Sequence, residues 1–116
     1  MAKTTHNYYM YVLACADGTL YTGYTTDLKQ REQAHQSKKG AKYTKPARRH
    51  PVKMIFSVAF QTKHEALVAE YHFKQHTRKE KEALLKAHGV VDFTPQAPGR
   101  IDITSADWLE QQEEEA

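Results

Sequence analysis

The chain has 116 residues, 40% of them hydrophobic and 27% charged, with a net charge of +3 and a single cysteine. That length suits one domain with a modest core. No apolar run approaches the roughly 18 to 20 residues of a membrane helix, and Cys15 has no second cysteine with which to form an internal disulfide. The N-terminus also lacks the apolar segment and small-residue cleavage site of a signal peptide. Together these features imply a cytoplasmic, reducing setting, with Cys15 as a buried core thiol.

Residues 1–7 are polar and expected to fray. Tyr9–Cys15 is rich in aromatic, branched and apolar side chains and predicts a buried strand. Asp17-Gly18 is a hairpin turn signal, followed by a second strand over Thr19–Tyr24. Thr25-Thr26-Asp27 supplies N-cap candidates for a helix over Leu28–Gln36. Ser37–Pro51 is a basic loop, and Val52–Phe60 predicts a third strand. Thr62-x-x-Glu65 and Thr77-x-x-Glu80 are capping boxes that open two abutting helices, over about 63–76 and from Thr77 to a stop at Gly89. The remainder contains a short strand-like IDIT and Ser105 as a cap for ADWLEQQ, then acids expected to be mobile. The order β-β-α-β-α-α predicts an α+β fold, a small three-stranded sheet flanked by helices. The division of the chain is a domain over 8–88 and an acidic, partly flexible extension over 89–116.

Charge is segregated. Residues 101–116 hold six acids and no Lys or Arg, which leaves 17 basic and 8 acidic side chains, a net +9, in residues 1–100. Gln33–His64 contains no acid at all but carries Lys38, Lys39, Lys42, Lys45, Arg48 and Arg49 among its cations. Such segregation favours a polyanionic partner, most simply nucleic acid. His72 and His76 have the i, i+4 spacing of metal ligands, but without a third ligand nearby in sequence they read as surface histidines.

Loop length decides how the hairpin tyrosines face. A two-residue loop at Asp17-Gly18 would put Tyr11 and Tyr21 on opposite faces. A three-residue loop, Ala16-Asp17-Gly18 with Gly18 left-handed, pairs Leu13 with Tyr21 and Tyr11 with Gly23. Both tyrosines then share a face, and the missing side chain at Gly23 leaves space beside Tyr11. The second arrangement is the prediction. On the following helix Arg31 and His35 are i, i+4 neighbours. Glu70 sits amid Ala66, Leu67 and Phe73. A carboxylate there is costly unless it binds a cation or pairs with Lys74 at i+4.

These residues resemble the GIY-YIG nuclease family over roughly residues 8–88. Tyr11 in YMY takes the place of the first motif's tyrosine, and Tyr21 and Gly23 in YTG those of the second motif. Arg31, His35 and Glu70 match the family's arginine, its histidine or tyrosine, and its metal-binding glutamate. The spacing makes the match specific, because Tyr11, Tyr21 and Arg31 are ten residues apart in turn, and Glu70 lies 39 beyond Arg31. YMY replaces GIY, Tyr24 stands where many members have lysine, and a late asparagine has no counterpart. The resemblance implies a DNA endonuclease using one Mg²⁺ or Mn²⁺ held by Glu70, with no organic cofactor and no membrane partner. The small domain carries no appended recognition module, which predicts low sequence specificity, with shape, strandedness or a branched junction supplying any selectivity. Tyr11, against the space at Gly23, is favoured as the general base, with Tyr21 the alternative base or the group that orients water or phosphate. Arg31 would hold the scissile phosphate, His35 would hold it too or assist proton transfer, and the basic loop, Lys74, Arg78 and Lys81 would contact the DNA backbone. The alternative is a non-catalytic nucleic-acid-binding module on the same scaffold. Oligomeric state is left open by the sequence.

Overall fold

The computed structural model describes residues 8–115, with side chains through Glu110. The fraying expected of residues 1–7 and the behaviour expected of the last acidic side chains lie outside the described residues. Strand β1 (Tyr8–Cys15) turns back into β2 (Leu20–Thr25), and helix α1 (Leu28–Gln36) follows. After two short 3₁₀ turns come β3 (Val52–Phe60), α2 (Lys63–Gln75) and α3 (Arg78–Ala87). Strand β4 (Ile101–Thr104) and helix α4 (Ser105–Glu115) complete the chain. Among the described residues no helix is long and apolar enough to cross a membrane.

The hairpin closes through Cys15 N–H to Thr19 O at 2.9 Å, around the loop Ala16-Asp17-Gly18. Gly18 has φ +88°, a conformation that strongly favours glycine. The register is therefore Leu13 opposite Tyr21 and Tyr11 opposite Gly23, as the three-residue loop requires. The caps are also local. The Asp27 carboxylate accepts from Gln30 N–H at 3.0 Å, and the Thr62 hydroxyl accepts from Glu65 N–H at 3.1 Å. A reciprocal Thr77/Glu80 box starts α3.

The sheet has four strands in the order β2-β1-β3-β4, not three. Strands β1 to β3 are antiparallel, and β4 joins the edge of β3 in parallel, Ser57 opposite Asp102. Four residues with two apolar side chains are a weak strand signal, and parallel pairing is reached only through a long connection. Residues 89–110 are thus woven into the domain. Trp108 on α4 is 3% exposed and packs within 6.0 Å of the rings of Phe56 and Phe73. The cap of α4 is also displaced by one residue, since Thr104 rather than Ser105 accepts from Asp107 N–H, at 3.4 Å.

The two faces of the sheet bury different things. Met10, Val12 and Ala14 point to the larger core, with Ala66, Ala69 and Phe73 of α2 and Leu84 and Leu85 of α3. Tyr11 and Leu13 point to the other face, where Met54, Tyr21 and Leu28 form a smaller cluster. The alternation along β1 produces this division. The second face receives α1, tied down by the Glu32 carboxylate accepting from Met54 N–H at 2.8 Å. That bond falls beside an irregularity in the β1–β3 register between Val12 and Leu13.

Candidate active site

Tyr11 is the centre of the second face. Its ring lies directly across Gly23, where a Cβ would fall on the Tyr11 hydroxyl and Cζ. The space expected beside Tyr11 is therefore filled by Tyr11 itself. Gly23 seats the phenol and offers no surface to DNA; it is buried. Tyr21 shares the face, its ring centroid 6.4 Å from that of Tyr11.

Helix α1 brings Arg31 and His35 onto the same hydroxyl. Tyr11 Oη lies 2.7 Å from His35 Nε2, and Arg31 Nε–H donates to Tyr11 Oη at 3.2 Å. On the other side of the imidazole, His35 Nδ1 lies 2.7 Å from Thr44 Oγ1. Tyr11, His35 and Thr44 are each 0% exposed, whereas Tyr21 and Arg31 are half-buried.

Burial governs the electrostatics. Desolvation pushes the Tyr11 phenol up to about 12, against the opposing pull of Arg31. Desolvation likewise pushes His35 down to about 4, reinforced by the nearby Arg31 and His50. Near neutral pH the pair is a neutral phenol facing a neutral imidazole.

Glu70, on α2, is the acid that reaches this group. Its negative charge contributes to raising the Tyr11 pKa. Its side chain is 17% exposed and pairs with Lys74 Nζ at 3.0 Å. Two tyrosines on adjacent strands thus meet an arginine and a histidine one helical turn apart around one phenol, while Glu70 acts on it through its charge, from α2.

The model of the GIY-YIG catalytic domain matches residues 7–83. The chain belongs to the GIY-YIG family. This is a nuclease superfamily, which supports a nuclease-type function and implies a nucleic-acid substrate. The chain is 51% identical over 86 residues to a UPF0213 protein of Limosilactobacillus reuteri, covering 74% of this chain and 90% of that one. It is 58% identical over 80 residues to a UPF0213 protein of Streptococcus agalactiae, covering 69% and 89%. The solution NMR structure of a protein from E. faecalis shares 50% identity at a TM-score of 0.50, over 73% of this chain and 86% of that one.

The basic residues of this GIY-YIG domain divide into two groups. Lys38, Lys39, Lys42, Lys45 and Arg48 are exposed on the loop and its 3₁₀ turns. Arg49 is instead engaged within the protein. It donates to the Asp17 carboxylate at 2.9 Å and to Thr19 Oγ1 at 3.1 Å, and its guanidinium lies 3.8 Å from the Tyr43 ring centroid. Arg78 is engaged too, donating to Gly18 O at 2.6 Å and to Glu82 at 2.8 Å. Both arginines thereby grip the β1–β2 turn. Lys74 is held by Glu70, while Lys81 is half-buried, its pKa lowered by desolvation and by the nearby Arg78 and Lys74. Arg49 and Arg78 thus make intramolecular bonds, which long-range folding creates and a charge count does not reveal.

Sequence reasoning missed Gly40, Tyr43 and Thr44. A Cβ at Gly40 would strike the His35 ring, and Tyr43 lies against Tyr21 at 5.5 Å between centroids. The only local signal was an uncharged Tyr-Thr pair inside a lysine-rich loop. His72 and His76 stand apart from this site. His76 pairs with Glu80 at 3.3 Å, and among the described residues no three His, Cys, Asp or Glu side chains cluster as metal ligands. A groove of about 360 Å³ between α2 and α4 is lined by Phe60, Val68, Phe73, Trp108 and Leu109 and lies with the larger core, away from Tyr11.

Proposed function

We propose that this protein is a divalent-metal-dependent endonuclease that hydrolyses DNA phosphodiester bonds with low sequence specificity and prefers single-stranded or branched DNA. The observation that carries the reading is the convergence of Arg31 and His35 on the Tyr11 hydroxyl, inside a domain of a nuclease superfamily.

A phenol with a pKa near 12 is ionised to only about one part in 10⁵ at neutral pH. It cannot accept a proton until it loses its own. His35 Nε2, 2.7 Å from that hydroxyl, is the group placed to take the proton when its lone pair lies on that side. In the reaction, the oxygen of water bonds to phosphorus as the bond to the departing sugar oxygen breaks. The water proton goes to Tyr11 Oη, the original Tyr11 proton goes to His35 Nε2, and the sugar oxygen takes a proton from solvent. Arg31 uses Nε on Tyr11, which leaves its terminal nitrogens for phosphate oxygens and for the charge of the pentavalent state. Tyr11 has no exposure of its own, so this route requires half-buried Arg31 to give way as the phosphate enters. Tyr21, also half-buried beside Tyr11, is placed to orient the water or the phosphate.

Glu70 fits a Mg²⁺ or Mn²⁺ ion. It is a hard oxygen donor whose charge already reaches Tyr11, and the Lys74 ammonium at 3.0 Å occupies it as a cation would. With one carboxylate, an ion would draw its other oxygens from water and substrate. When bound, such an ion supplies positive charge that makes nearby hydroxyls more acidic and steadies the transition state. The exposed lysines of the loop hold the DNA through phosphates, which carry no sequence information.

The test offers purified protein single-stranded, duplex, nicked and branched DNA, with and without Mg²⁺ or Mn²⁺. Cleavage that needs the ion and is abolished by Glu70→Ala and by Arg31→Ala is expected. Cleavage that survives both substitutions points to a contaminant and overturns the mechanism. Salt-sensitive binding with no cleavage identifies a binding module.

A further inference from the structure

The chain of hydrogen bonds through Tyr11 does not stop at His35, and its far end has a direction. Thr44 Oγ1 has its own acceptor, Ala41 O, at 3.1 Å. Its hydroxyl proton is thus taken up by a carbonyl, and the oxygen is left to accept from His35 Nδ1–H at 2.7 Å. A proton on Nδ1 leaves Nε2 as a lone pair aimed at Tyr11 Oη. Every polar hydrogen then finds an acceptor: Arg31 donates to Tyr11, Tyr11 to His35, His35 to Thr44, and Thr44 to Ala41. In the opposite tautomer His35 and Arg31 would both donate to Tyr11, and the Tyr11 proton would be left without its 2.7 Å acceptor.

The loop is built to hold Thr44 there. His50 Nε2 lies 2.6 Å from Thr44 O, and the 3₁₀ turn Lys42–Thr44 returns Thr44 N–H to Ala41 O at 3.1 Å. Gly40 gives the imidazole room that any Cβ would take away. The groups facing His35 are Tyr11, Tyr21 at 5.3 Å between centroids, Arg31, His50 and Thr44. Among them the Thr44 hydroxyl is the one bonded to Nδ1.

We propose that Thr44 is a positioning residue of the proton relay, its buried hydroxyl fixing His35 as the Nδ1–H tautomer so that Nε2 can take the proton of Tyr11. This rests on the nuclease reading given above. Thr44 touches neither DNA nor the reacting atoms and acts only through His35. The basic loop therefore has two roles: exposed lysines for the DNA backbone, and a buried hydroxyl that sets the state of the acceptor.

The experiment is an ¹H–¹⁵N correlation spectrum of the imidazoles at neutral pH, with the His35 signals identified by their loss in His35→Gln. The expected result is a proton on His35 Nδ1 and none on Nε2. A proton on Nε2 overturns the proposal, whatever the activity. Thr44→Val, which keeps the shape and removes the hydroxyl, is expected to lose the Nδ1–H preference. Its kcat should fall at least about tenfold with KM for DNA unchanged, while Thr44→Ser keeps both the tautomer and kcat. Equal losses in the two variants, or Thr44→Val with unaltered spectrum and kcat, overturn the proposal. If Thr44→Val does not fold, the wild-type spectrum still decides. If the wild-type protein cuts no DNA, the nuclease reading fails by itself, and the spectra still show whether Thr44 sets the tautomer.

Discussion

Gly23→Ala is the sharpest probe of how the site is assembled. The new methyl would fall on the Tyr11 hydroxyl and Cζ. Gly23 cannot retreat, because it is paired opposite Tyr11 within the hairpin ladder. The Tyr11 ring has little freedom either, being wedged against Tyr21 and bonded to His35 and Arg31. Overpacking of this kind costs about 1–3 kcal/mol. Displacing Tyr11 also breaks its bond to His35, for a further loss of about 0.5–1.5 kcal/mol. A total of about 1.5–4.5 kcal/mol corresponds to a fall in Tm of about 6–22 °C for a domain of this size. Gly99→Ala is the matched control, since a Cβ there meets nothing within 4 Å and its φ is not positive. Urea and thermal unfolding of the two variants should therefore diverge, Gly99→Ala staying within about 1 kcal/mol of the parent. A Gly23→Ala protein as stable as the parent would show that Tyr11 does not lie across Gly23, and the assembled site would have to be redrawn.

Stability should also depend on pH through His35. Its ordinary value is 6.5 and the fold lowers it to about 4, so between those limits the unfolded chain takes up a proton that the native state refuses. Stability should fall by up to about 3 kcal/mol as pH drops from 6.5 to 4, and urea titrations of His35→Gln should lack that part of the slope. Trp108→Ala should cost about 3–5 kcal/mol by emptying the space between Phe56 and Phe73; a fully stable variant would mean that α4 is not part of the core. Arg49→Ala and Lys42→Ala should separate cleanly. The first breaks the Asp17 ion pair and the Tyr43 contact, lowering Tm with little change in the salt dependence of DNA binding. The second leaves Tm unchanged and reduces the salt slope by about one.

What could be read directly from the residues was local. Asp17-Gly18 and its preceding alanine set the hairpin, and through the period of two along a strand they placed Tyr11 and Tyr21 on one face. Asp27, Thr62 and Thr77 marked the helix starts because a cap acts across only two or three residues. The same reach put Arg31 and His35 on one side of α1, and the spacing of all five groups carried the family resemblance. Partners distant in sequence were decided only by the tertiary structure. IDIT could be read as strand-like, but its place as a fourth, parallel strand comes only from the free edge of β3. Arg49 and Arg78 look like free cations until the β1–β2 turn is brought against them. The Tyr11 hydroxyl looked open until its own ring was seen to fill the place left by Gly23. Burial, which sets the protonation states of Tyr11 and His35, is a property of everything packed around them, and no stretch of sequence carries it alone.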